Sequence, residues 1–224
     1  MSVSDGITAR QFRESGGVED WRVLGDGAYA LFRTDGFAAG TRLVTAIGQL
    51  PDIDGHHPDV DLRREGVTVR LITITDHYFG MSRRDVELAR RISALAREQG
   101  ATADASSVQT LSVIPGAPVA AEVMPFWQAI LGYQPRGDSP DEDLVDPQDR
   151  GPGFWFESMD APRPDGNGAI HVAVWIPQER AEERVAAALA AGGRLVRDEF
   201  APAWWTLADA AGNEADIATT ESRD

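Results

Sequence analysis

Two hydrophobic periods alternate along the first hundred residues. Residues 28–33 (AYALFR) follow a glycine-containing turn and predict a strand. From Phe37 the period lengthens, and Phe37, Thr41, Val44 and Ile47 fall on one helical face. Residues 67–75 (VTVRLITIT) are β-branched and mostly alternating, the pattern of one half-buried strand. Ser82-Arg-Arg-Asp85 then has the spacing of a capping box, and Val86, Leu88, Ala89, Ile92 and Leu95 continue as a helix. Strand, helix, strand, helix in this order predicts an α+β sheet-and-helix layer.

The second half repeats itself. Residues 108–114 (VQTLSVI) read as a strand, 119–131 as a helix ending at Gly132, and 154–159 (FWFESM) as a closing strand. Residues 170–176 (IHVAVWI) are again a strand, followed by an Ala-rich helix over 180–191 that ends at Gly192-Gly193. Residues 204–208 and 214–219 close this copy as strands. His171 stands 62 positions after Gln109, and self-similarity at a fixed offset speaks for two copies of one supersecondary unit. Between the halves, residues 100–107 (GATADASS) are small, polar and without apolar period, which reads as a linker. The domains expected are residues 1–101 and 107–220.

Composition narrows the chemistry. The 224 residues suffice for two domains of about 100 residues each. No apolar run approaches the ~18 residues that span a bilayer, and the first residues lack the basic-then-apolar layout of a secretory signal. A cytoplasmic protein is the expectation. Cysteine is absent, which removes disulfides, thiol nucleophiles and cysteine-bound zinc or iron–sulfur centres. Lysine is absent too, all 21 basic residues being Arg, so Schiff-base chemistry and a Walker-type phosphate loop are excluded. The net charge of −15 is uneven: residues 1–100 carry 13 Arg against 15 acidic residues, and 101–224 carry 8 against 21. Such a surface repels phosphate backbones and anionic lipid, so neither nucleic acid nor membrane is an expected partner.

Three of the four histidines fall within residues 56–77. In Asp52-Ile-Asp-Gly-His56-His57-Pro58-Asp59, paired imidazoles sit beside a rigid proline with a carboxylate four residues upstream to orient one ring. That set performs proton transfer near neutral pH; the alternative is a polar turn with solvated histidines. With the strand that follows and Gly80-Met-Ser-x-x-Asp85 opening a helix, the tract resembles the pterin-4a-carbinolamine dehydratase family over about residues 5–98. The resemblance implies dehydration of 4a-hydroxytetrahydropterin (4a-hydroxytetrahydrobiopterin) to quinonoid dihydropterin, with no cofactor, in a homodimer or higher homo-oligomer. It implies catalytic roles for His56, His57 and Asp52 and substrate contacts for Pro58 and Asp85, the alternative for Asp85 being a first-turn acid favouring a helix N-terminus. The sequence departs from the family at two places. Arg64 stands where the family has an aromatic residue, and the strand-to-helix spacing is two residues longer. Counting from the strand puts Ile74 at the third-histidine position; counting back from Gly80 puts Asp76 there. His77 would then serve as the third catalytic histidine if the loop bulges, with Asp76 at the substrate.

The repeated unit resembles the vicinal oxygen chelate superfamily, glyoxalase-like proteins of paired βαβββ modules. The resemblance rests on Phe126-Trp127-x3-Leu131-Gly132-Tyr133, on Ile170-His171-Val172-Ala173-Val174, and on Leu207-Ala208-Asp209-x2-Gly212-Asn213-Glu214. It implies a half-barrel with metal ligands on the first and last strand of each module, at Gln109, Glu157, His171 and Asp216, or with Glu214 in place of Asp216. Such an O/N donor set suits a divalent Zn, Ni, Mn or Fe(II) ion. The alternatives are a strand-edge hydrogen bonder at Gln109, a solvated Glu157, a satisfied core His171 and a turn carboxylate at Glu214, with a second small ligand bound without metal. Trp127, Trp155, Trp175, Trp204 and Trp205 line an apolar pocket or fill the core. The leading expectation is a pterin dehydratase with an appended ligand-binding glyoxalase-like domain. Its alternatives are a metal-dependent lyase, isomerase or dioxygenase acting in the second half, and a non-catalytic binding or assembly module.

Overall fold

The computed structural model describes residues 5–160, 170–208 and 214–221, and the chain divides between Val108 and Gln109 into two units. The first runs β1 (Gly6–Ile7), α1 (Ala9–Arg13), β2 (Arg22–Leu24), β3 (Gly27–Arg33), α2 (Phe37–Gly48), β4 (Asp59–Arg63), β5 (Gly66–Leu71), β6 (Thr73–Thr75), β7 (Tyr78–Ser82), α3 (Arg83–Glu98) and β8 (Thr102–Ala103). The alternation in β3 and β5 buries Ala28, Ala30, Phe32, Val67, Val69 and Leu71 against Leu43 and Ile47 of α2 and Val86, Ala89 and Ile92 of α3. Trp21 closes this core: its ring meets Phe32 edge-on and its Nε1 donates to Ser93 Oγ at 3.0 Å.

Two expectations change here, each for a local reason. Residues 67–75 are not one strand. The partner strand β3 begins at Gly27, and the pairing reaches only Ala28 opposite Leu71. The chain therefore leaves the sheet at Ile72, and β6 pairs with β7 in a separate sheet of order β1-β7-β6. Nor do residues 100–107 form a free linker. Thr102 and Ala103 pair with Arg33 and Phe32, and Asp104 accepts from Arg33 Nε and Nη2 at 3.0 and 2.8 Å. That segment belongs to the first unit, so the division falls after Val108.

The second unit contains β9 (Thr110–Ala117), α4 (Ala120–Leu131), β10 (Gln134–Pro135), β11 (Asp143–Val145), β12 (Gly153–Trp155), β13 (Glu157–Ser158), β14 (Ile170–Trp175), α5 (Ala181–Ala190), β15 (Arg194–Arg197), β16 (Trp204–Ala208) and β17 (Glu214–Ala218). The strand order β10-β11-β12-β9-β14-β17-β16-β15 reads alike from both ends. At the centre β9 and β14 are antiparallel, and each is flanked by the last strand of its own copy in parallel. This is the paired βαβββ arrangement, and the whole chain is α+β. The glycine after α4, Gly132, takes φ 69, the left-handed C-cap that ends a helix at little cost only in Gly or Asn.

Residues 154–159 are interrupted at Phe156. β12 and β13 keep one register on β9, Gly153 opposite Ser112 and Glu157 opposite Gly116. The gap lies opposite Pro115, which has no N–H to give the ladder. Both helices cover one face of the sheet, α4 over Val113, Leu144 and Phe154, α5 over Val174, Leu207 and Ile217. Trp127 and Trp205 pack on that face. Strand alternation sends Trp155, Trp175 and Trp204 to the opposite face, so the five tryptophans are not one set. Among the described residues no helix is long and apolar enough to cross a membrane.

Candidate functional site

After α2 the chain turns through Pro51 and Asp52 into one 3-10 turn, Ile53–Gly55. Asp52 enters it at φ 61, a left-handed conformation that Asp tolerates better than most residues. His56 leaves it extended, at φ −165. Helix α3 holds both ends of this loop. Arg84 Nη2 donates to Gly55 O at 2.6 Å, and Arg91 Nη2 donates to Pro51 O at 2.7 Å. Seven residues are two helical turns, so both guanidiniums come from one face of α3.

Between those contacts lies the chemistry. His56 Nε2 is 2.7 Å from Asp85 Oδ1. The Asp85 side chain is 0% exposed and that of His56 12%. Asp85 Oδ2 accepts from Ser82 N at 2.7 Å, Ser82 Oγ at 2.9 Å and Thr73 Oγ1 at 2.8 Å. The local sequence dictates this: Ser82 caps α3 and Asp85 is its N3 residue, the capping box expected from Ser-x-x-Asp. An ionised carboxylate only accepts, so Nε2 carries the hydrogen and the neutral ring keeps its lone pair on Nδ1. The imidazole faces a cleft of about 280 Å³ also lined by Asp52, Ile53, Arg84, Glu87 and Arg91. Burial, and then the Asp85 charge, raise the phenol of Tyr78 above its ordinary value.

The other expected residues take distinct places. Asp52 lines the cleft but is exposed, and the carboxylate bonded to His56 is Asp85, 29 positions away. Full burial keeps Asp85 from direct contact with a molecule in the cleft; its contact there is with the imidazole. His57 is exposed and Pro58 half-buried, leading into β4. Asp76 and His77 form the two-residue turn between β6 and β7, both exposed. The hairpin register, Thr73–Gly80, Ile74–Phe79 and Thr75–Tyr78, has no bulge. The two extra residues lengthen the hairpin and carry His77 to its tip, while Ile74 is 55% exposed on the strand. Arg64 lies exposed in the β4–β5 turn. Sequence reasoning missed Thr73, Arg84 and Arg91. The seven-residue spacing of the arginines was a usable signal; the hydroxyl of Thr73 was hidden in an apparently continuous strand.

In the second unit, His171 Nε2 lies 3.2 Å from Asp216 Oδ2, and Thr206 Oγ1 donates to Asp216 Oδ1 at 2.7 Å. The hydrogen bond to Asp216 raises the His171 pKa against the opposing effect of burial, with the charges of Asp216, Glu157 and Glu214 adding to the rise. Register explains the grouping. His171 pairs with Ile114, Glu157 with Gly116 two residues along the same strand, and Asp216 with Ala173. All four acid and imidazole side chains therefore share the sheet face opposite the helices. Gln109 does not join them: it lies five residues before Ile114, about 16 Å along the strand, at an exposed position before β9 begins. Among the described residues no three His, Asp or Glu side chains converge closely enough to hold a metal ion. The expected ligand set thus does not fit a metal site. Asp209, Gly212 and Asn213 lie outside the described residues.

Comparisons with known proteins follow the same division. Residues 112–218 match the family model of the glyoxalase-like domain, and residues 5–95 that of pterin 4 alpha carbinolamine dehydratase. No curated protein matches the chain. Among solved structures, the chain is similar to an NAD-dependent benzaldehyde dehydrogenase from Legionella pneumophila, at 13% identity over 49% of this chain and 97% of that one, TM-score 0.35. It is also similar to a glyoxalase/bleomycin resistance protein/dioxygenase superfamily member from Vibrio splendidus 12B01, at 15% identity over 50% of this chain and 99% of that one, TM-score 0.32. The protein is a fusion, in which residues 5–95 form a domain of the pterin 4 alpha carbinolamine dehydratase family and residues 112–218 form a glyoxalase-like domain.

Proposed function

We propose that the first unit dehydrates 4a-hydroxytetrahydropterin to quinonoid dihydropterin, with His56 and His57 moving the protons. The observation that carries this reading is the 2.7 Å contact from His56 Nε2 to the buried Asp85. It holds the ring in the tautomer whose Nδ1 accepts a proton, the pairing of a base with an orienting carboxylate. In the reaction the N5–H proton passes to His56 Nδ1, and its electron pair becomes the C4a=N5 bond. The C4a–O bond breaks as the hydroxyl takes a proton from the His57 imidazolium and leaves as water. Reprotonation of His57 and deprotonation of His56 through solvent complete the cycle. Asp52, on the cleft wall, orients or polarises the histidines. Pro58 contacts the pterin at the edge of the site, and a homo-oligomer is the working assembly. The glyoxalase-like unit binds a second small ligand on the face that carries His171.

The test is turnover of freshly generated 4a-hydroxytetrahydrobiopterin followed by absorbance. Wild type should exceed the buffer rate, and His57→Ala should lose about 100-fold or more, the usual share of a general acid. A wild-type rate no better than buffer would sink the proposal. That result would favour the non-catalytic reading, which rests on Ile74 at the third-histidine position and on His77 at the hairpin tip.

A further inference from the structure

The expected site residues leave unexplained why Asp85 should hold His56 so well. Its two oxygens are used differently. Oδ1 meets the imidazole at 2.7 Å, whereas Oδ2 takes three donors from Ser82 and Thr73. The two hydroxyls also touch, Thr73 Oγ1 to Ser82 Oγ at 2.7 Å. All are shut off from water: Thr73 is 3% exposed, Ser82 1% and Asp85 0%.

We propose that Thr73 is a positioning residue for the dehydratase, fixing the Asp85 carboxylate so that Oδ1 stays aimed at His56 Nε2–H. This rests on the reading of His56 as the base. The capping box alone supplies donors from Ser82, and these belong to the same residue and move with the helix end. Thr73 comes from another element, β6, and ties the carboxylate to the hairpin. It reaches Oδ2 only because the chain leaves the first sheet at Ile72. A carboxylate bound through one oxygen by groups on two elements cannot rotate about its Cβ–Cγ bond without breaking a buried hydrogen bond. The imidazole tautomer is fixed in consequence, as an outer partner fixes a histidine in metal and triad sites. With one donor removed, the carboxylate is free to turn about Cβ–Cγ, and Oδ1 no longer stays aimed at His56 Nε2–H. The other charged groups around His56 are Asp52 from its own loop and Arg84, Glu87 and Arg91 from α3, and none of them is changed by a substitution at Thr73.

The experiment uses the full chain with Thr73→Val and Thr73→Ser, reading kcat, KM and the pH profile of kcat together with the ¹⁵N resonances of the His56 ring. Thr73→Val should lower kcat about 10-fold with KM within about twofold, change the pH profile of kcat, and mix the ring tautomers. Thr73→Ser should restore all three. A Thr73→Val enzyme with wild-type profile and tautomer overturns the proposal. Should that variant not fold, the wild-type spectrum still decides: His56 protonated on Nδ1 in the neutral ring contradicts it, and protonation on Nε2 with Thr73→Ser retaining that state supports it. The tautomer is read without turnover, so an inactive wild type would refute the dehydratase reading separately.

Discussion

Each unit holds a histidine on an aspartate, and each aspartate takes a threonine hydroxyl on its other oxygen. In the first unit the pair is His56–Asp85 at 2.7 Å, with Thr73 behind it. In the second it is His171–Asp216 at 3.2 Å, with Thr206 behind it. The resemblance ends at the surroundings. Asp85 is the N3 residue of a helix, with no exposed side-chain surface and three donors on one oxygen. Asp216 lies within a strand, 12% exposed, on a face where Glu157 and Glu214 also act on the imidazole. One pair is organised by geometry, which suits a base that must keep its tautomer. The other is held by its hydrogen bond with further carboxylates beside it, which together favour a protonated ring.

Substitutions separate the two. Asp85→Asn should have the largest effect, because the amide cannot accept from every donor at Oδ2 and also from the imidazole. Dehydration should fall by about 100-fold or more, and unfolding in urea should show a loss of about 1–3 kcal/mol from the unsatisfied buried groups. Wild-type activity in that variant would remove the distinction between the pairs. Thr206→Val in the second unit should cost about 1 kcal/mol in the same urea experiment and leave dehydration unchanged.

The pH dependence of the second pair has a definite sign. The folded pKa of His171 is raised by its bond to Asp216, above an unfolded value of about 6.5. Its stabilisation is then fully present below about pH 6.5 and is lost as pH rises through the higher folded value. The difference in melting temperature between wild type and Asp216→Asn should therefore be widest near pH 6 and shrink toward pH 9. A difference independent of pH would show that charge does not organise this pair. The smallest effect expected is that of His77→Ala. From the tip of an unbulged hairpin, it should alter kcat by less than about twofold, and a large loss would mean that the hairpin bends in to complete the site.

Much of this arrangement was readable in the order of residues. The duplicated strand–helix–strand pattern, the start of α3 at Ser82 and the histidine tract all follow from local periodicity and capping chemistry, whereas the short strands β10 and β11 show no period. What was not readable depends on partners distant in sequence. The break at Ile72 is set by where β3 begins, and the break at Phe156 by a proline on the neighbouring strand. The orienting carboxylate was sought four residues from His56 because local spacing is all a sequence displays. Asp85 arrives from 29 positions away by way of a helix cap. Gln109 looked equivalent to His171 by offset, yet it lies before the strand that would have carried it to the same face.

In the proposed reaction the first of the two pairs performs the dehydration. Its most direct test is to measure dehydration of 4a-hydroxytetrahydrobiopterin by the intact chain, by His56→Ala and by His171→Ala under identical conditions. Turnover should collapse by about 100-fold or more in His56→Ala and stay at the wild-type rate in His171→Ala. A wild-type rate in His56→Ala, or a collapse confined to His171→Ala, would contradict it.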